Sequence, residues 1–149
     1  MKCTLTGFFD SYPTDKLDNR LQYMVKHGLD HLAIRHIKGT PIIELTDGEL
    51  KKILLDTKAM RMKFSVLDTA ILPYDPYNDR KHQDALDAFK YMLKVADRLK
   101  INYVLLRLPV INDIIQEFQT YEKVMGDFVN QAMRSGRKIV IMPEKGYKA

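Results

Sequence analysis

Cysteine is nearly absent from this sequence, since Cys3 is the only one. A single cysteine closes no intramolecular disulfide and builds no cysteine zinc site, which favours a reducing compartment, so we expect a cytoplasmic protein. Long apolar runs are also missing, and none approaches the roughly 20 residues that span a bilayer. The start of the chain has no long apolar core or small-residue cleavage site of a signal peptide. We therefore expect neither secretion nor a membrane partner.

Glycine and proline are scarce as well, with seven and six residues. Their scarcity excludes collagen-like and low-complexity chains. The hydrophobic fraction of 46% is high enough to bury a core, and 149 residues fit one domain of typical size. No stretch of the chain resembles a linker, so we expect residues 1–149 to form a single domain.

A modest positive excess distinguishes the charged residues: 24 Lys and Arg against 19 Asp and Glu give a formal net charge of +5. The densest basic clusters fall at predicted helix C-termini, where cations complement the helix dipole, and an anion-binding surface is the alternative. The clusters are Lys58, Arg61 and Lys63, and Arg134, Arg137 and Lys138. Nucleic acid is the least favoured partner, because the sequence shows no platform of alternating aromatic and basic residues.

Short strand-like runs alternate with longer helical patterns along the whole chain, which predicts an α/β domain. Several of the runs are rich in Val, Ile, Leu or Phe, as in a parallel sheet covered by helices. The predicted strands extend from Lys2 to Phe8, from His31 to Ile37, from Met62 to Asp68, from Tyr103 to Leu108 and from Lys138 to Met142.

Four helices are predicted between these strands. The first covers Thr14 to His27, and the second begins at the Thr-x-x-Glu capping box that starts with Thr46. The third covers about Arg80 to Leu99, and the fourth follows Asn112 and ends at Gly136. Apolar residues at helical spacing are expected to be core. They include Leu17, Leu21, Met24, Val25, Leu50, Ile53, Leu54, Ala85, Phe89, Met92, Val95, Ala96, Leu99, Ile115, Phe118, Val124, Phe128 and Met133.

The order of elements, five strands with four helices between them, fits two architectures. One is an open doubly wound sheet, and the other is part of a (β/α)8 barrel, whose usual length is about 250 residues. In either case right-handed crossovers place successive parallel strands side by side, with their carboxyl ends at one rim.

Signatures of common nucleotide-binding and hydrolase sites are missing, because no G-x-G-x-x-G, G-x-x-x-x-G-K-[ST] or G-x-S-x-G occurs. The histidines form no H-E-x-x-H pair. His31 and His36 have opposite parity on one predicted strand, so we expect them on opposite faces, as a poor ligand pair.

Reactive groups of parallel α/β folds collect at the carboxyl ends of the strands. The candidates there are Asp10, Arg35, His36, Asp68, Arg107 and Glu144. Arg35 and Arg107 suit bidentate binding of a carboxylate or phosphate, unless one of them bridges a neighbouring carboxylate.

Each of the other candidates has both a functional and a structural interpretation. His36 is either a substrate hydrogen-bond donor or proton-transfer group, or a partly buried strand-end histidine. Asp10 and Asp68 either belong to the site or cap loops and helices. Glu144, after a very apolar strand, is either a divalent-metal ligand or general base, or an ordinary loop charge. We take Arg35, His36, Asp68 and Arg107 as candidate substrate-binding residues.

Three stretches in order resemble the sugar phosphate isomerase/epimerase group of the xylose isomerase-like barrel superfamily. They are Gly28 to Arg35 entering the second strand, Ile43 to Leu54 at the start of the second helix, and Ala85 to Leu99 leading into Tyr103 to Leu106. The resemblance implies a partial (β/α)8 TIM barrel, about five parallel strands and four helices, as the N-terminal portion. It also implies a divalent metal (Mn, Mg, Zn or Co) in the complete barrel, with Glu144 in the place of the group's first metal-binding carboxylate.

The function implied by the resemblance is proton transfer next to a carbonyl of a sugar or sugar phosphate, with a metal polarising that carbonyl. The remaining ligands of the group lie on later strands, and this chain stops at Ala149, so we expect no activity from it alone. Ala33, Lys100 and Lys145 depart from the group's pattern, and Asp68 and Arg107 stand where related apurinic endonucleases have metal-binding histidines.

A second hypothesis is a non-catalytic truncated barrel that self-associates, most simply as a homodimer. Its basis is that a five-strand sheet leaves two edge strands without barrel neighbours, and unpaired edges invite pairing.

Overall fold

The computed structural model describes residues 5–8, 17–37, 39–113 and 115–142. The helices are α1 (Leu17–Lys26), α2 (Asp47–Ala59), α3 (Asp79–Arg98) and α4 (Phe118–Arg134), and a 3-10 turn covers Ile42–Glu44. The strands are β1 (Thr6–Phe8), β2 (His31–Ile34), β3 (His36–Ile37), β4 (Thr40–Pro41), β5 (Lys63–Asp68), β6 (Tyr103–Arg107) and β7 (Lys138–Met142). None of the helices in these ranges is long and apolar enough to cross a membrane.

A five-stranded parallel sheet with the order β1-β2-β5-β6-β7 forms the centre of the molecule. Consecutive long strands are neighbours, so the predicted sequential order is confirmed. The pairing of β6 with β7 extends from Tyr103 opposite Lys138 to Arg107 opposite Met142. Each strand is therefore joined to the next by a helical crossover, which is the repeating unit of a (β/α)8 barrel.

Apolar faces of the helices form one core against the sheet. Phe89 of α3 and Phe128 of α4 are fully buried, and their rings meet edge to face with centroids 5.1 Å apart. Most of the predicted stripe is buried, and α2 starts at the predicted capping box of Thr46 and Glu49. The predicted core positions in α3 are all confirmed.

Several predicted core positions are wrong. Ile115 is 86% exposed because α4 begins at Phe118, itself exposed, and Ile115 lies in a preceding turn held by the Asp113 carboxylate. Met133 is 71% exposed in the last turn of α4, away from the face that carries Phe128. Val25 is also exposed, since it lies about 100° around α1 from the buried Met24.

The second predicted strand, His31 to Ile37, is wrong at its carboxyl end. Parallel pairing stops at Ile34, and His36–Ile37 instead pairs antiparallel with Thr40–Pro41. Gly39 has a φ of +79°, a left-handed conformation that closes this hairpin and suits glycine. His31 and His36 thus lie in different strands, so the parity argument does not apply to them.

Candidate functional site

A bidentate ion pair joins the last residues of two neighbouring strands at the carboxyl rim of the sheet. Arg107 at the end of β6 donates from Nη1 to Asp68 Oδ1 at 2.7 Å and from Nη2 to Asp68 Oδ2 at 2.9 Å. The side chains are only 7% and 2% exposed. Asp68 pairs in register with Leu105, so Arg107 lies two residues further on and projects to the same face. The fold thus brings together two of the predicted site residues.

The Asp68 carboxylate is held in its charged form. Burial opposes ionisation, but hydrogen bonds from Arg107 and from the Ala70 N–H (2.8 Å), with the charges of Arg107 and Arg35, outweigh it, so the pKa is lowered from 3.8. Asp68 is therefore an anion at neutral pH. The carboxylate thus caps its own loop through the Ala70 N–H and at the same time binds Arg107.

The loop after β5 is fixed against the neighbouring strand. Thr69 donates to the Leu105 carbonyl oxygen from its Oγ1 at 2.9 Å and from its backbone N–H at 3.2 Å. Ala70 adopts a φ of +56°, so a non-glycine residue holds a left-handed turn next to the ion pair. These contacts preorganise the backbone that presents Asp68.

Arg35 approaches the same carboxylate from β2. It follows Ile34 directly, and its carbonyl oxygen accepts a hydrogen bond from Ile42 N–H at 3.2 Å. Its charge contributes to the lowered pKa of Asp68. The Arg35 Nε is buried and has no hydrogen-bond partner among the residues that the structure describes. One guanidinium therefore binds the Asp68 carboxylate, a second favours its ionised form through its charge, and the Nε of the second is a donor without a described acceptor.

The remaining predicted site residues divide into two groups. His36 follows Arg35 directly in β3 and is partly buried. Asp10 and Glu144 lie outside the described residues. Among the predicted residues, the structure therefore shows one cluster, Arg35 with Asp68 and Arg107.

A hydrogen-bonded chain that the sequence did not predict lies between α3 and α4. His82 Nδ1 is 2.6 Å from Tyr74 Oη, and His82 Nε2 is 2.8 Å from Asp127 Oδ2. The His82 ring also meets the Phe128 ring edge to face at 5.6 Å. Burial, together with the charge of Asp127, raises the pKa of Tyr74 above its ordinary value. A carboxylate only accepts, so the His82 tautomer that fits this chain carries its proton on Nε2 and accepts from the Tyr74 hydroxyl at Nδ1.

This chain anchors the loop between β5 and α3, because the Tyr74 carbonyl oxygen also accepts from Val110 N–H at 2.9 Å. One tyrosine thus connects the β5–α3 loop, the β6–α4 loop and both helices near the rim. No sequence signal pointed to it, because His82 and Asp127 are 45 residues apart and meet only through helix packing.

Metal-ligating side chains do not cluster in the part of the chain that the structure describes: no group of three or more His, Cys, Asp or Glu residues is placed to hold an ion. Asp68 is engaged on both oxygens by Arg107. The described residues therefore do not fit a complete metal centre.

No protein family model matches the sequence, and no curated protein matches it. Solved structures do match the fold. The IolI protein with a bound zinc atom has a TM-score of 0.75 at 20% identity, over 95% of this chain and 51% of that chain. A D-tagatose 3-epimerase-like protein has a TM-score of 0.72 at 13% identity, over 97% and 55% of the two chains.

A sugar phosphate isomerase/epimerase from Parabacteroides distasonis likewise has a TM-score of 0.72 at 12% identity, over 95% of this chain and 51% of that one. The chain thus spans about half the length of the structures it matches. Its fold is that of a partial TIM barrel, and the partial (β/α)8 barrel expected from the sequence is confirmed.

Proposed function

We propose that this chain supplies the N-terminal half of a sugar or sugar phosphate isomerase/epimerase-like barrel, whose complete form transfers a proton next to a carbonyl group. The class is suggested by the matching structures, which include D-psicose 3-epimerase in the presence of D-fructose. The observation that carries the proposal is the cluster of Arg35, Asp68 and Arg107 at the carboxyl rim, since barrel enzymes hold their active sites there.

Within this proposal the three residues have different roles in substrate binding. Arg35 contacts the substrate, because its buried Nε needs an acceptor such as a hydroxyl or phosphate oxygen. Asp68 and Arg107 position it, because their mutual bidentate bonds fix both side chains. His36, next in the chain to Arg35 and partly buried, is a further substrate-binding residue in this proposal.

The divalent metal belongs, in this proposal, to the complete barrel. Glu144 is the one ligand from this chain, and the others come from the second half. The zinc atom of the IolI structure supports a metal in barrels of this fold. Because the described residues hold no metal cluster, the chain alone is expected to be inactive.

A chimeric barrel tests this function. The chain is joined to the C-terminal half of the zinc-binding IolI barrel, and deuterium uptake next to the carbonyl of ketoses and ketose phosphates is followed by NMR in D2O. We expect uptake by the metal-loaded chimera and its loss on Glu144→Gln or Arg35→Met. The chain alone should give none. A folded, metal-loaded chimera without uptake, or uptake by the chain alone, would contradict the proposal.

Self-association is a second candidate function, favoured by the exposed sheet edges. β1 and β7 each have one neighbour in the described sheet. Ile141 and Met142 of β7 are 48% and 41% exposed, and Phe8 of β1 is also exposed. An apolar edge of this kind pairs readily with another chain, and a homodimer covers it. Light scattering over a concentration series tests this candidate.

A further inference from the structure

The two basic clusters noted in the sequence have different surroundings in the structure. Arg137 behaves as a structural cation: it donates to Asp97 at 2.8 Å and to the Ile101 carbonyl oxygen at 3.2 Å. Lys138 has its Nζ 6.0 Å from the centroid of the Tyr103 ring. By contrast, neither Lys58 nor Arg61 makes an ion pair within the described residues.

Lys58 and Arg61 line an open cleft of about 890 Å³ at the amino-terminal end of the sheet. Lys63 and Lys100 line it too, and they make no ion pair within the described ranges either. Lys63 is the first residue of β5, whereas Asp68, at the rim, is its last. The cleft is therefore at the opposite end of the barrel from the candidate substrate site.

The charged side chains that line this cleft are all positive. Its described lining contains four cationic side chains and no Asp or Glu. Two carboxylates outside the lining interact electrostatically with cleft cations, Asp30 with Lys63 and Asp97 with Lys100, and each has a closer hydrogen-bond partner, His31 or Arg137. Cations that only complement helix C-termini need no shared cavity, whereas four cations around one cavity create a positive potential inside it.

Backbone conformation adds a second observation. Arg61 and Lys100 have φ angles of +57° and +59°, in the left-handed region where glycine is the usual residue after a helix. The sequence thus places cations at two positions where the backbone favours glycine, and both of them line the cleft.

Apolar walls complete the cavity. Leu54 and Leu99 lie beside the cationic residues, and Val66 and Tyr103 continue the wall along the sheet. The volume falls within the range of about 300–1,000 Å³ that holds small molecules. A cleft of this size with a partly apolar wall suits a small ligand better than an extended polyanion, which needs a long basic track.

We propose that this cleft is a binding site for a phosphate-bearing small molecule, separate from the rim site and independent of the proposed isomerase function. Lys58, Arg61, Lys63 and Lys100 supply the charge-assisted hydrogen bonds to the phosphate oxygens. The apolar wall receives the rest of the ligand.

The test uses pyrophosphate as the probe and isothermal titration calorimetry on the full chain. The decisive variant is Arg61→Gly with Lys100→Gly, because glycine accepts the left-handed backbone while both charges are lost. We expect saturable binding to the wild-type chain that weakens with added salt. The double variant should bind at least about tenfold more weakly, with an unchanged or higher melting temperature.

Two further variants sharpen the result. Lys51→Ala with Lys52→Ala removes the same charge from the exposed face of α2, outside the cleft, and should bind like the wild type. Lys58→Ala with Lys63→Ala removes the other two cleft cations and should weaken binding in the same way as the glycine pair. Undiminished binding by both cleft variants, equal loss in the Lys51/Lys52 control, or binding of duplex DNA without pyrophosphate would each overturn the proposal.

Discussion

Breaking the ion pair between Asp68 and Arg107 should show how much this pair contributes to the free energy of unfolding. Asp68→Asn keeps the shape of the side chain but removes the negative charge to which both Nη atoms of Arg107, 7% exposed, donate. A guanidinium cannot shed its proton, so the loss is expected to be about 3 kcal/mol of unfolding free energy. Arg107→Met should cost less, about 2 kcal/mol, because Asp68 keeps the Ala70 N–H bond and the nearby Arg35 charge.

Urea unfolding at neutral pH measures these differences. Asp84→Asn, which removes an exposed carboxylate from α3, is the matched control and should stay within about 0.5 kcal/mol of the wild type. The double variant of Asp68 and Arg107 should lose clearly less than the sum of the single losses. If the Asp68→Asn variant unfolds within about 1 kcal/mol of the wild type, the ion pair does not stabilise the fold as expected, because removing one partner of a buried pair normally costs several kcal/mol.

The pH dependence of the same pair has a definite sign. The pKa of Asp68 is lowered by folding, so its ionised form stabilises the native state above 3.8 and this contribution is lost as the pH falls through the lower native value. The gap in stability between wild type and Asp68→Asn should therefore be constant near neutrality and narrow in acid. A gap that widens below 3.8 would contradict the assignment.

Three other predictions concern the rest of the molecule. His82→Ala leaves Tyr74 Oη and Asp127 without their shared partner and should lower the free energy of unfolding by about 2 kcal/mol in thermal unfolding. The loss should exceed that of Tyr74→Phe. Equal losses in the two variants would show that the hydrogen-bonded chain acts only through Tyr74. Calorimetry with Mn²⁺ or Mg²⁺ should give only weak binding, whereas sub-micromolar affinity that needs Glu144 would mean that a complete site exists in this chain. Light scattering should show a dimer at tens of micromolar, and a monodisperse monomer would exclude association through the sheet edges.

The fold was predictable because strong local patterns and a chirality rule point to the same answer. Apolar runs such as 138–142 define strands, the Thr46 and Glu49 pair defines a helix start, and right-handed crossovers fix the strand order. The hairpin of His36–Ile37 was not predictable, because strands of two residues carry no periodic signal and Gly39 alone marks the turn.

The position of Asp68 and Arg107 at one rim was predictable from the sequence, but their hydrogen-bond network was not. Strand ends place Asp68 and Arg107 at one rim, whereas their bidentate pairing depends on the register between β5 and β6. That Arg107, and not Arg35, binds both oxygens of Asp68 depends on three-dimensional packing, as does the lack of an acceptor for the Arg35 Nε among the described residues. The Tyr74, His82 and Asp127 chain depends on how α3 packs on α4, which no local pattern reports.

We propose that Arg35 contacts the substrate while Arg107 stays bound to Asp68. Proton–nitrogen NMR of the arginine Nε groups, followed during titration with a ketose phosphate, distinguishes the two guanidinium groups. We expect a saturable shift of the Arg35 Nε resonance, with Arg107 nearly unchanged and any shift of Arg61 assigned to the separate cleft. A titration that moves Arg107 or Arg61 and leaves Arg35 unchanged would show that Arg35 does not bind the substrate.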